Sequence, residues 1–283
     1  MATTPQRLRV MVLSGCYLPG FRGGGPARSL ANLVKALGAD IDFRIVTLDR
    51  DPESDPPYPS VRPGTWQTGV GAEVLYLPRT AVSVRRLVQE IKAVSPQVID
   101  LQGFFDPVFT ILVLLARRIG FFFGVPLLLA PQGVFSPGAL SLKFLKKAIY
   151  VRLAQVVGLY SDLTWQASSE MDRREILRTM TTVEADRVKV VADLTDDIAC
   201  APRGQVAGQP GGPLRLCFLS RISPKKNLDF ALRVLADVKV SVEFAIYGPI
   251  EVPSYGAACR NLIAMLPENI RVIYGGGNCT RRM

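Results

Sequence analysis

The stretch LRVMVLSGCYLPGFRGGGPARSLANLVKAL (residues 8–37) decides how the rest of the chain is read. Residues 8–13 form a short β-type run, and residues 14–26 are dense in glycine and proline. Residues 27–37 then repeat Leu30, Leu33, Val34 and Leu37 at helical spacing. A strand that passes through a glycine loop into a helix is the opening unit of a parallel α/β sheet. Backbone amides at such a turn, beside the positive end of a helix dipole, form a site for an anion. Gly20, Gly23, Gly24 and Gly25 precede Pro26, but no Gly-Lys-Ser/Thr follows and the spacing is not G-x-G-x-x-G. By themselves these glycines fit a flexible connecting turn as well as an anion cradle.

Outward from this unit the alternation continues. Strand-like runs at 43–47, 74–77, 98–101, 127–130, 163–166 and 188–191 alternate with helical patterns at 82–94, 107–119, 139–159 and 170–179. Residues 50–70 read as one long loop. Residues 1–202 therefore predict a complete Rossmann-like domain with helices on both faces of its sheet. A Gly/Pro-rich linker follows at 203–213. The pattern then restarts, with strands at 214–219, 242–247 and 270–274 and helices at 227–236 and 255–265. Three strands are fewer than the five or six of a doubly wound half, so residues 214–283 predict a partial second domain. Its last nine residues, GGGNCTRRM, carry no element-forming pattern.

Composition narrows the chemistry. The chain has 283 residues, 48% hydrophobic and 20% charged, which is enough for cores without disulfides or metals as staples. Net charge is 34 − 24 = +10, split as 23 − 19 = +4 over residues 1–202 and 11 − 5 = +6 over 203–283. There is no histidine, which removes Ser-His-Asp and Cys-His nucleophiles, histidine bases and His-ligated metals. Five scattered cysteines without C-x-x-C read as reduced thiols of a cytoplasmic protein. No signal peptide is read at the start. The most hydrophobic region, 108–130, holds Arg117, Arg118 and Pro126, so it predicts a buried helix and strand and not a membrane span. A sequence pI of about 9.6 raises nucleic acid as a partner, but no basic run with interleaved aromatics supports it.

Three further places carry candidate chemistry. The loop SRISPKKN (220–227) follows a strand and precedes a helix, so Arg221 and Lys226 converge where α/β sheets bind ligands. A guanidinium and an ammonium there suit a diphosphate, and they equally fit a solvated basic loop. In APQG (130–133), Gln132 either presents its amide to a cleft or serves a turn. Lys143, Lys146 and Lys147 lie at i, i+3 and i+4, which predicts a lysine face, solvated or touching anionic lipid at the inner side of the membrane. Glu170 and Asp172 follow Ser168-Ser169, where capping explains them. No carboxylate pair stands out as an acid and base, so no catalytic residue is named.

Together these pieces resemble the retaining glycosyltransferases of the two-Rossmann (GT-B) type, in the large family 4 that includes sucrose synthases and bacterial cell-surface polysaccharide enzymes. The matching stretches span residues 8–274 and include YLPGFRGGGPARSLANLVKAL, VIDLQGFFDP, GVPLLLAPQGVFSPGALSLKFLKK, DLTWQASSEMDRREI, LSRISPKKNLDFAL and FAIYGPIEVPSYGAAC. The resemblance implies a nucleotide-sugar donor used as substrate, no metal or other cofactor, and a glycan or lipid-linked acceptor in cell-surface polysaccharide biosynthesis. It assigns Gly24 and Gly25, with Gly23, to the approach of the donor, Arg221 and Lys226 to its diphosphate, and Gln132 and Gly133 to the acceptor side of a cleft. The family continues through a glutamate motif, E-x-x-x-x-x-x-x-E, and nothing after Tyr274 supplies it. Its common Asn-Gly turn is Asp193-Leu194 here. Two expectations follow: an active transferase, or a truncated remnant that binds nucleoside diphosphate without transfer.

Overall fold

The computed structural model describes residues 7–20, 23–51, 56–141, 144–195 and 212–276. The chain divides into two units, Met1–Asp197 and Ile198–Met283. In the first unit, eight strands form one sheet: β1 (Leu8–Ser14), β2 (Ile41–Leu48), β3 (Trp66–Thr68), β4 (Ala72–Leu77), β5 (Val98–Gln102), β6 (Leu127–Ala130), β7 (Leu163–Ala167) and β8 (Val188–Val190). Their order is β3-β4-β2-β1-β5-β6-β7-β8. All neighbours are parallel except β3 with β4. The short antiparallel β3 lies inside the stretch read as loop. Its sequence WQT is too short to carry a period, and it is held by distant partners such as Glu90, whose Oε2 accepts from Trp66 Nε1 at 3.1 Å.

Among the described residues the helices of this unit are α1 (Gly25–Leu37), α2 (Val84–Val94), α3 (Leu112–Arg118), α4 (Pro137–Ser141), α5 (Phe144–Val156) and α6 (Glu170–Thr179). Ser83 caps α2 by accepting from the Arg86 amide at 3.2 Å, so the helix starts two residues later than its pattern. The pattern at 107–119 begins as a wide π turn, Pro107–Ile111, before tightening into α3. Within the pattern at 139–159 the described residues are helical over α4 and over α5. Alternate residues of β1 feed two cores, which is why it reads as a continuous apolar run. Met11 and Leu13 join Ile99, Leu101 and Trp165 beneath α2, α3, α5 and α6. Val10 and Val12 pack with Leu30 and Val34 of α1.

The sheet order reverses between β1 and β5. Sequential strands run outward from β1 on one side and from β5 on the other, which opens a crevice at their carboxyl ends. The second unit is a smaller parallel sheet of β9 (Leu214–Leu219), β10 (Val242–Tyr247) and β11 (Ile270–Tyr274), ordered β11-β10-β9, with α7 (Leu228–Ala236) and α8 (Pro253–Ala264). Leu228, Leu232 and Leu235 cover Val242, Phe244 and Ile246 of the central strand. Most of the expected linker at 203–213, and the closing residues 277–283, lie outside the described residues. Both units have the parallel α/β construction that the sequence predicts.

Candidate functional site

The loop from β1 to α1 is shaped by what its glycines leave room for. A Cβ on Gly15 would lie 2.7 Å from Asp106 Oδ2, one on Gly20 would overlap the Tyr58 hydroxyl, and one on Gly23 would overlap the Cys16 sulfur. These three positions are filled by neighbours. Gly24 and Gly25 are different, because nothing lies within 4 Å of where their side chains would be. Gly24 has φ +65° and is the N-cap of α1, which has no side-chain cap. These two glycines therefore present backbone at an open helix N-terminus. Gly24 borders a groove of about 480 Å³ that includes Pro19, Arg28 and Asn32.

The rest of this loop is tied down from beneath. The Tyr76 hydroxyl donates to the Leu18 carbonyl at 2.7 Å. Cys16 Sγ lies 3.6 Å from Asp51 Oδ1. Burial, and then the Asp51 charge, push the Cys16 thiol up to about 11. A thiol held protonated in this way packs and does not act as a nucleophile.

Beside it, at the mouth of β5 and β6, three polar side chains form a relay. Gln102 Nε2 donates to Asp100 Oδ2 at 2.7 Å, and Gln132 Nε2 donates to Gln102 Oε1 at 2.7 Å. Burial raises Asp100 to about 6, against the Gln102 hydrogen bond, and Oδ1 of this carboxyl has no partner among the described residues. The order of donors is dictated from the buried end. An ionised carboxylate offers only lone pairs, so Gln102 must turn its amide nitrogen inward and its oxygen outward. Gln132 must then donate with its own nitrogen, which leaves its Oε1 without a protein partner among the described residues. Gln132 and Gly133 have φ +62° and +66°, so the turn after β6 is two left-handed residues in succession. Asp106 closes the far side of this mouth, its Oδ1 accepting from the Val108 and Phe109 amides at 2.9 and 2.7 Å. Asp100 and Gln102 were absent from the sequence candidates. Their signal was legible, since they are alternate polar residues in the otherwise apolar strand VIDLQ.

In the second unit, the loop from β9 to α7 carries Arg221 and Lys226. It is laced by backbone bonds to the loop after β10: Ile222 donates to Pro249 at 2.8 Å, and Glu251 donates to Ile222 at 3.1 Å. Gly248, at φ +145°, permits this approach, because a Cβ there would overlap the Ser220 carbonyl. Arg221 Nη1 pairs with Glu251 Oε1 at 2.8 Å, both half exposed. Lys226 ends the single turn Pro224–Lys226 and is exposed. Asn227 follows in the left-handed conformation, and α7 begins without a side-chain cap. The Tyr255 hydroxyl accepts from the Asp229 amide in the first turn of α7 at 3.0 Å, so what this carboxyl end of a parallel strand offers is the two cations. Glu251, 30 residues from Arg221, is the member that local sequence reading missed.

No family model matches the chain, and neither does any curated protein. Solved structures do. Over 96% of this chain and 70% of the other, it is similar to Anabaena Alr3699/HepE in complex with UDP and glucose, with a TM-score of 0.60 at 17% identity. It is similar to the lipopolysaccharide outer core galactosyltransferase WaaB in its apo form, with a TM-score of 0.55 at 14% identity over 96% and 68% of the two chains. The catalytic domain of starch synthase IV from Arabidopsis thaliana, bound to ADP and acarbose, gives 0.59 at 11% identity over 95% and 74%. At these identities the likeness establishes the fold, the GT-B arrangement of Rossmann-like units.

Proposed function

We propose that the chain is a retaining nucleotide-sugar glycosyltransferase that moves a sugar to a glycan or lipid-linked acceptor in cell-surface polysaccharide biosynthesis on the cytoplasmic side of the membrane. The observation that carries this reading is that Arg221 and Lys226 stand in one loop between β9 and α7, at the carboxyl end of a parallel strand. Glycosyl transfer from such a donor releases a nucleoside diphosphate, so negative charge grows on the phosphates in the transition state. Fixed cations aimed at that charge lower the barrier. In this reading they meet the diphosphate without a metal, and the nucleotide sugar enters as substrate.

Arg221 reaches the diphosphate by exchanging Glu251 for a phosphate oxygen, one anion for another. Gly24 and Gly25 supply backbone that a donor can approach closely. Gln132, with its oxygen outward, accepts a hydrogen bond from a hydroxyl on the acceptor side, and Gly133 keeps that turn open. Support comes from the fold shared with structures solved with UDP, UDP-glucose and ADP.

Calorimetry of the full chain with UDP, ADP and GDP tests the donor site, beside a screen of nucleotide-sugar hydrolysis and transfer. Binding of a nucleoside diphosphate is expected, weakened about tenfold in Arg221→Ala, as for loss of one charge-assisted hydrogen bond. Failure of all three nucleotides to bind refutes the reading. Binding without any transfer assigns the chain to donor binding alone.

A further inference from the structure

We propose that the outer face of α5, with the loop that follows α3, docks on an anionic lipid bilayer. This goes beyond the transferase reading and stands or falls without it. Between Asp106 and Asp162 the chain has no acidic residue and six basic ones: Arg117, Arg118, Lys143, Lys146, Lys147 and Arg152. The same segment is unusually apolar on its outside. α5 buries Val151 and Ala154, yet it exposes Leu145, Ile149, Leu153 and Val156, with Leu145 73% and Val156 78% exposed. Those four residues recur at i, i+4, i+8 and i+11, which is a single stripe along three turns.

The charges sit around this stripe and differ from the lysine face that spacing predicts. Lys147 turns inward, its Nζ donating to the Ala139 carbonyl at 2.5 Å and lying 5.3 Å from the Phe105 ring centre. Lys143 lies outside the described residues. Arg152 and Lys146 are exposed on α5 itself. Arg118, at the end of α3, comes within 3.4 Å of the vacant Cβ position of Gly158, just after α5. Residues 119–123 therefore border the same end of the helix, and they expose Ile119, Phe121 and Phe123, the last by 75%.

Charge complementarity selects the occupant. A second copy of this face would bring Arg118, Lys146 and Arg152 against the same cations, and between Asp106 and Asp162 the segment holds no carboxylate to meet them. An anionic bilayer supplies hydrocarbon for the stripe and phosphate headgroups for the surrounding cations. Among the described residues no helix is long and apolar enough to cross a membrane, so α5 would lie in the interface plane.

The test is flotation of the purified full chain with vesicles of phosphatidylcholine alone or mixed with phosphatidylglycerol, at low and high salt. Binding is expected to the mixed vesicles at low salt, and it should fall as salt screens the headgroups. The variant Leu145→Ser/Ile149→Ser/Val156→Ser alters exposed side chains and should reduce partitioning at least tenfold. Replacing Lys146 or Arg152 by Ala should cost about fivefold each and flatten the salt dependence. No flotation with the mixed vesicles at low salt overturns the proposal. So does a stable dimer in solution that the triple Ser variant dissociates, since the face would then belong to a second copy.

Discussion

The β1–α1 loop and the β9–α7 loop hold equivalent places, each at the carboxyl end of a parallel strand ahead of a helix, and they are secured in opposite ways. The first is wedged by side chains: Tyr58, Cys16 and Asp106 fill the spaces beside Gly20, Gly23 and Gly15, and only Gly24 and Gly25 face open space. The second is secured by backbone, laced to the loop after β10 through Gly248, and Arg221 and Lys226 are exposed on it while Ile222 and Ser223 are buried. At Gly24 and Gly25 the first loop offers a ligand main chain, and at Arg221 and Lys226 the second offers charge. The second can therefore lose a functional side chain without losing its shape.

The largest expected effect attacks the backbone lacing. Gly248→Ala forces a Cβ into the Ser220 carbonyl at a φ that side chains rarely adopt, and should destabilise the second unit by about 3 kcal/mol. Gly24→Ala meets no atom and should cost about 1 kcal/mol, from its positive φ alone. Chemical denaturation of both variants compares them directly, and equal losses would break the contrast.

Next in size is a pH effect from the first unit. Burial raises Asp100 to about 6, so the folded chain holds this proton more tightly than the unfolded chain, whose carboxyl titrates near its ordinary value of about 3.9. The stabilisation is complete below that ordinary value and is lost as pH rises through about 6. Asp100→Asn should therefore be more stable than the parent above pH 6, on the order of 2 kcal/mol, with the gap closing below about pH 4. Thermal unfolding across that range checks it, and a constant gap at all pH values would contradict the assignment.

The smallest effect belongs to the exposed ion pair. Glu251→Gln removes the anion that competes for Arg221, and should tighten nucleoside-diphosphate binding about threefold, within the modest worth of a surface pair. Its unfolding midpoint should stay close to the parent. Weaker binding in calorimetry would mean that Glu251 positions Arg221 for the phosphate and does not compete with it.

Much of the molecule was legible along the chain. The strand and helix patterns, the glycine turn before α1 and the basic turn before α7 all fell where the structure has them. The parts that were not legible depend on distant neighbours. β3 is only three residues, Trp66–Thr68, held by partners elsewhere. Lys147 leaves the face its spacing assigns because Phe105 and the Ala139 carbonyl lie within its reach.

By itself the sequence determined the two parallel α/β units and their turns, because strand and helix periods and glycine or proline breaks act over a few residues. It also located Gly24, Gly25, Gln132, Gly133, Arg221 and Lys226 at the carboxyl ends of strands. Only the tertiary structure decided which glycines are packed and which are open, that Arg221 meets Glu251, and that a buried Asp100 sets the direction of Gln132 through Gln102. Those outcomes turn on burial and on hydrogen-bond partners about 30 residues apart, which exist only once the sheet has brought separate strands side by side.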